Sequence, residues 1–278
     1  GFDEKGMDRA TAPGDNFYQF ANGEWLKATE IPADKSNYGM FTKLDDLSKE
    51  RVKGLLETAA KDPKSKMGVA YATYLDEAAI EKKGITPIQP ILKQVRAVKT
   101  HKQFEALLPK LAPKGVGALF GGFVGQDDKN PDAYIFQIFQ GGTGLPDRDM
   151  YLVDNPKFEE IRTAYKSYLA KMLTHAGEKN AEARANAIFE TEKKIADVQW
   201  TREESSDATK VYNKLTLGEL DALAPQIGMS AMLKKISPKI GDVLVAQPSA
   251  VAATAKIFAE TDIGVFKDQM MVGALANY

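Results

Sequence analysis

The chain has 278 residues, 44% apolar and 27% charged, with 37 basic against 38 acidic residues and a net charge of −1. That length supports one large or two smaller domains whose core needs no staple, and the charge balance gives no global reason to bind nucleic acid or an anionic membrane. Cysteine is absent, which excludes disulfides, thiolate metal sites and a cysteine nucleophile.

In chain order, Phe41, Leu44, Leu47, Val52, Leu55, Leu56 and Ala59 recur at helical spacing until Lys61-Asp62-Pro63 breaks the run. Met67 to Ala78 repeats the pattern as one helix, with Gly84 as its stop. Pro87 opens the next helix at its first position, carrying Ile88, Ile91, Leu92 and Val95. Thr100 and Gln103 form a capping box ahead of Phe104, Leu107, Leu108 and Leu111.

Ala118 to Val124 and Ala133 to Gln140 are short and aromatic-rich; with the turn formers of 125–132 between them they predict a β-hairpin with a wide loop. Asn155-Pro156 starts another helix, which Gly177 ends. A more polar helix covers 178–199, Thr216 and Glu219 make a second capping box, and 242–245 is a third short strand. Phe266, Met270, Ala274 and Tyr278 recur every four residues, the pattern of a helix cut where the chain stops. No apolar run approaches the ~18 residues of a membrane span.

The residues that carry chemistry do not assemble into a complete active site. His101 lies in a first helical turn and His175 in a last turn, where the helix dipole favours imidazolium; both read as structural, and no His-Glu dipeptide supplies a zincin helix. The adjacent pairs Asp45-Asp46, Asp127-Asp128 and Glu203-Glu204 point in divergent directions and read as solvated charge. Asp127, Asp128, Asn130 and Asp132 share a turn but lack the Gly and terminal Glu of an EF-hand loop. The loop 141–144 lacks the Lys-Ser/Thr ending of a phosphate cradle and reads as a backbone turn.

Several blocks nevertheless share an order. Met7-Asp8 is followed by Pro13-Gly14-Asp15-Asn16-Phe17-Tyr18-Gln19-Phe20-Ala21-Asn22-Gly23-Glu24-Trp25-Leu26, then Ile31-Pro32 and Tyr38-Gly39-Met40-Phe41. Tyr74-Leu75-Asp76 leads to Gly84 and Pro87; Gln140 leads through Gly144-Leu145-Pro146-Asp147-Arg148-Asp149-Met150-Tyr151-Leu152; and Asp207 precedes Tyr212-Asn213-Lys214-Leu215-Thr216-Leu217 and Glu219-Leu220. In this order the blocks resemble the N-terminal portion of the neprilysin-like zinc endopeptidases.

The resemblance implies a mainly α fold: a multi-helical lobe with a small β-hairpin, part of a larger two-lobed zincin metallopeptidase. Residues 1–60 would pack toward the catalytic lobe, and 61–278 would form a helical covering lobe with its hairpin near 118–140, incomplete at the C-terminus. Relatives carry zinc on an H-E-x-x-H helix plus a downstream Glu; neither is in this sequence, so zinc is expected in a full-length parent and none on this chain. The implied partners are an oligopeptide substrate and the C-terminal catalytic half of the same protein, and the 278-residue chain alone is expected to be inactive.

Where relatives have a substrate-binding Arg and Asp, this sequence has Asn37 and Thr42; these are the substrate-contact candidates. Asn37 cannot make the bidentate charge-assisted pair that Arg makes with a carboxylate. The missing cysteines point to a bacterial-type member, periplasmic or secreted with its signal removed. The rival expectation is a non-enzymatic helical module that binds a peptide or partner; a transport or storage protein has no supporting motif.

Overall fold

The structure, a computed structural model, describes residues 3–277. Its contacts divide the chain into two compact units between Lys82 and Lys83.

The first unit holds α1 (Phe17–Ala28), α2 (Met40–Ala59), α3 (Lys66–Leu75) and most of α4 (Glu77–Lys83). Asn16 caps α1 by accepting from the Gln19 N–H at 2.9 Å. α3 packs on α2 so closely that a Cβ on Gly68 would overlap the Ala59 carbonyl. The single helix expected over 67–78 is two: Asp76 leaves helical geometry, and its carboxylate accepts from the Ala79 N–H at 3.0 Å to start α4. Gly84 then sits at φ +49. No side chain of α2 is buried, and Phe41 and Leu55 are 90% and 70% exposed. The apolar stripe of this helix is thus largely exposed at Phe41, Leu44 and Leu55.

The second unit comprises α5 (Gln89–Ala97), α6 (His101–Leu111), β1 (Phe120–Asp127), β2 (Asn130–Gln140), α7 (Asp149–Leu152), α8 (Pro156–His175), α9 (Ala181–Val198), α10 (Arg202–Ser205), β3 (Lys214–Leu215), α11 (Leu217–Leu223), α12 (Met229–Ile236), β4 (Val243–Val245), α13 (Pro248–Glu260) and α14 (Ile263–Ala276). The four strands form one mixed sheet in the order β1-β2-β4-β3. β1 pairs antiparallel with β2, β4 runs parallel to β2 from Phe136↔Val243 to Ile138↔Val245, and β3 is antiparallel to β4.

Several local expectations are corrected. The hairpin has no wide loop: Asp127 pairs with Asn130, leaving Asp128-Lys129 as a two-residue turn. Pro131 is accommodated because the register breaks beside it, at a bulge where no ladder N–H is required. Pro87 belongs to a 3₁₀ turn (Thr86–Ile88), and Pro90 occupies the first turn of α5. Thr100 caps α6 as expected, but the Gln103 side chain accepts from Lys99 N–H at 2.7 Å. α9 begins only at Ala181, because Asn180 is left-handed and Glu178 is held by Arg96 and Arg184.

The core has two clusters. The larger joins α5, α6, the sheet and α13 around Phe104, Phe258 and Phe266, with Phe258 and Phe266 T-shaped at 5.0 Å. The smaller joins α7, α8 and α9 around Tyr151, Leu169, Leu173 and Ile188. α14 is shared: Phe266, Met270 and Ala274 enter the first, while Val272 enters the second. The expected four-residue recurrence is thus a buried face; Tyr278 lies outside the described residues.

Candidate functional site

In the first unit, Asp8 anchors the aromatic block. Its backbone N–H donates to Phe20 O at 2.9 Å, and its carboxylate accepts from Ala10 N–H, Thr11 Oγ1, Gln19 Nε2 and Lys27 Nζ. The Gln19 amide and Ala10 N–H, helped by Lys27, hold that carboxyl below the ordinary aspartate range. α1 is thereby fixed so that Phe17, Tyr18 and Trp25 border a hollow of about 1000 Å³ closed by Tyr38, Met40 and Leu44. Asn37 and Thr42 do not line this hollow. Asn37 is exposed, with a 3.4 Å contact from Nδ2 to Ser36 Oγ; Thr42 is half-buried in the first turn of α2. No hydrogen bond joins the two among the described residues.

In the second unit, the segment from Gln140 to Leu152 is a clamp. Gly141 O accepts from Gln199 Nε2 at 3.0 Å, and Gly142 O accepts from Gln269 Nε2 at 2.9 Å. Arg148 Nε donates to Ala196 O at 3.1 Å, placing a cation at the carboxyl end of α9, where the helix dipole favours it. Asp147 accepts from Asp149 N–H and from Arg202, which together hold its carboxyl below the ordinary range. Tyr151 Oη accepts from Gly144 N–H at 3.1 Å and Leu145 N–H at 2.8 Å, and donates to Glu192 Oε2 at 2.7 Å.

Glu192 had no place among the sequence candidates. It is 1% exposed on α9 and receives Tyr151 Oη, Tyr165 Oη at 2.9 and 3.1 Å, and Gln269 Nε2 at 2.7 Å. Burial lifts its carboxyl above the usual glutamate range, against the pull of these donors. Burial and the Glu192 charge likewise push the Tyr151 and Tyr165 phenols upward. Gly144 permits this contact, since a Cβ there would overlap Tyr165 Oη. A sequence signal existed: Ala185, Ile188, Glu192 and Ile195 share one buried face, so Glu192 interrupts an apolar stripe at helical spacing.

The described residues do not assemble a set that fits zinc. His101 Nε2 lies 2.9 Å from Thr261 O, and its ring packs edge-on against Phe258. Among the described residues no three His, Asp or Glu side chains converge as a metal site requires. Asp127, expected in an open turn, is 1% exposed and bound by Lys214 Nζ at 2.9 Å, Lys129 N–H and Tyr212 Oη, which hold it down to about 2.

Comparison with known proteins agrees with the sequence blocks. The profile of peptidase family M13 matches residues 13–278. Endothelin-converting enzyme-like 1 of Rattus norvegicus is 29% identical over 249 residues, 83% of this chain and 32% of its own length. Neprilysin-3 of Drosophila melanogaster is 31% identical over 237 residues, 80% of this chain and 30% of its own. The chain thus spans about a third of the length of these curated relatives. The inhibitor complex of the Mycobacterium tuberculosis zinc metalloprotease Zmp1 superposes with a TM-score of 0.86 and 25% identity, covering 99% of this chain and 43% of that one. PepO from Lactobacillus rhamnosis shares the fold at a TM-score of 0.78 and 21% identity over 95% of this chain and 43% of its own. The mainly helical architecture with a small mixed sheet is the one those structures have, and the chain belongs to peptidase family M13.

Proposed function

We propose that this chain is the N-terminal, cavity-forming portion of a zinc-dependent metalloendopeptidase that hydrolyses peptide bonds in oligopeptides. The carrying observation is the superposition of 99% of the chain on less than half of a zinc metalloprotease, in a sequence with two histidines and no H-E-x-x-H. Zinc and the groups that act on it then belong to the C-terminal catalytic half, and this chain alone is inactive. No catalytic step is assigned to its own residues.

In this reading residues 1–60 pack toward the catalytic lobe. The exposed apolar stripe of α2, with Phe41, Leu44 and Leu55, supports that role. Residues 61–278 form the covering lobe. Asn37 and Thr42 contribute neutral hydrogen bonds to a bound peptide. The protein works in the periplasm or outside the cell; no described helix is long and apolar enough to cross a membrane. The relatives lend no support to the rival reading of a free-standing helical binding module.

The test is to join the chain to a following segment that carries H-E-x-x-H and assay zinc content and cleavage of fluorogenic oligopeptides. The joined protein should hold about one zinc per chain, cleave peptides, and lose activity to a chelator. Stoichiometric zinc and peptidase activity in residues 1–278 alone would overturn the reading.

A further inference from the structure

Five acidic side chains are buried among the described residues: Asp8, Glu105, Asp127, Glu192 and Asp268. Four are matched by a cation of the chain: Asp8 by Lys27, Glu105 by Lys102, Asp127 by Lys214, and Asp268 by Arg184. Glu192 is the exception. Its donors are two phenols and an amide, and no Lys, Arg or His of the described residues pairs with it. Neighbouring cations are engaged elsewhere: Lys166 lies over the Phe189 ring at 4.3 Å, and Arg148 serves the Ala196 carbonyl. A buried carboxylate without a counter-charge is the costly arrangement that proteins normally avoid.

Glu192 also borders open space. With Tyr165, Tyr168, Gly142 and Gly273 it lines a hollow of about 420 Å³, within the ~300–1,000 Å³ range of small-ligand sites. Tyr165 and Tyr168 stack with centroids 6.3 Å apart and planes 20° apart, and both line the hollow, where an aromatic ring can attract a cation. The Gly142 carbonyl spends one acceptor on Gln269 and keeps a second. Gly273 also lines the hollow and leaves its part of the wall bare, since a Cβ added there would meet nothing within 4 Å.

We infer that this hollow is a binding site for a primary alkylammonium group, with Glu192 as counter-charge and the Tyr165/Tyr168 pair as its aromatic wall. Burial already raises the Glu192 carboxyl, and an arriving ammonium would favour its ionised form. In a peptide-cleaving protein the natural bearers are a lysine side chain or a peptide N-terminus. That attribution rests on the peptidase reading, whereas the ammonium site does not.

The experiment titrates the 278-residue chain with n-butylammonium chloride, N-acetyl-lysine methylamide, alanine methylamide and the uncharged N-acetyl-norleucine methylamide, following backbone amide resonances. The Gly142, Gly144 and Gly273 signals should move with the ammonium probes and stay fixed with norleucine; whichever of the lysine and α-amine probes binds tighter identifies the bearer. Glu192→Gln should weaken binding about tenfold or more, ~1.4 kcal/mol. Gly273→Leu fills the hollow without touching the carboxylate and should abolish binding, which keeps the test decisive if Glu192→Gln folds poorly. Fixed glycine signals at millimolar butylammonium, equal response to norleucine, or unchanged affinity in Gly273→Leu would each overturn the inference. No readout involves proteolysis, so failure here is distinct from failure of the peptidase reading.

Discussion

Replacing Tyr151 by Phe removes one oxygen atom and leaves the ring, so the effect isolates hydrogen bonding from packing. That oxygen serves Gly144 N–H, Leu145 N–H and Glu192 at once. Gly144 is exposed and water replaces its partner at little cost, but Leu145 N–H is buried and is left orphaned; such a group costs about 1–3 kcal/mol. The lost bond to a carboxylate adds about 1.5–3 kcal/mol, part of which Tyr165 and Gln269 recover by tightening on Glu192. The expected loss is about 3 kcal/mol. In a unit of this size that lowers Tm by roughly 6–12 °C. Tyr165→Phe is the internal control: its hydroxyl also reaches Glu192, yet it borders the open hollow, where water substitutes, so about 1 kcal/mol is expected. Urea unfolding of both variants, followed by far-ultraviolet circular dichroism, reads the difference. A Tyr151→Phe loss no larger than that of Tyr165→Phe would refute the reasoning that the buried Leu145 N–H depends on Tyr151 Oη.

Arg184→Ala strands Asp268, whose side chain is 5% exposed, and leaves Glu178 to Arg96 alone. Because Arg184 is itself 31% exposed, water enters, and the loss should be about 2–3 kcal/mol in the same urea assay. Gly144→Ala should drive Tyr165 off Glu192 at a cost of about 1–3 kcal/mol, seen as a lost Tyr165 Oη–Glu192 contact in a structure of the variant. The raised Glu192 carboxyl stabilises the fold below the ordinary glutamate range, and that contribution is lost as pH rises through its folded value. Measured from the ordinary glutamate range upward through neutral pH, Glu192→Gln should gain stability relative to the parent as pH increases; a flat difference would show that Glu192 titrates normally. In the joined enzyme, Asn37→Arg should lower KM for peptides with a free C-terminal carboxylate and leave amidated peptides unchanged, through the bidentate pair Asn37 lacks.

Helices with strong local signals were legible in the sequence, and the misses have physical causes. Asn155-Pro156 and the Thr216/Glu219 capping box set α8 and α11 as expected, because caps are satisfied within a few residues. β3 is only Lys214-Leu215 and exists because β4 supplies its partner across nearly thirty residues. The hairpin turn was misread because Asp127 and Asn130, turn formers by composition, are here strand residues. Asp127 points inward to Lys214 and Tyr212, partners nearly ninety residues away. At the candidate site, the blocks that carry the family resemblance were visible in sequence, whereas Glu192 shows there only as a charge interrupting an apolar stripe: its meaning depends on Tyr151, Tyr165 and Gln269, contributed by three other helices.

The contrast between those two observations bears on what the Gly144 to Tyr151 block is for. Three of its side chains have defined partners: Asp147 takes Arg202, Arg148 takes the end of α9, and Tyr151 takes Glu192. Leu145 is buried in the smaller core cluster. Gln269 links the same loop to α14, and Arg184 links α9 to α14 through Asp268. The block is therefore a structural joint that fixes the loop after β2 against three helices, and it sets one wall of the hollow that Glu192 borders. A block that fixes the shape of a cavity wall suits the cavity-forming role proposed for this chain. Perturbing the joint should accordingly change peptide binding before it changes the chemical step, appearing in KM ahead of kcat in the joined enzyme.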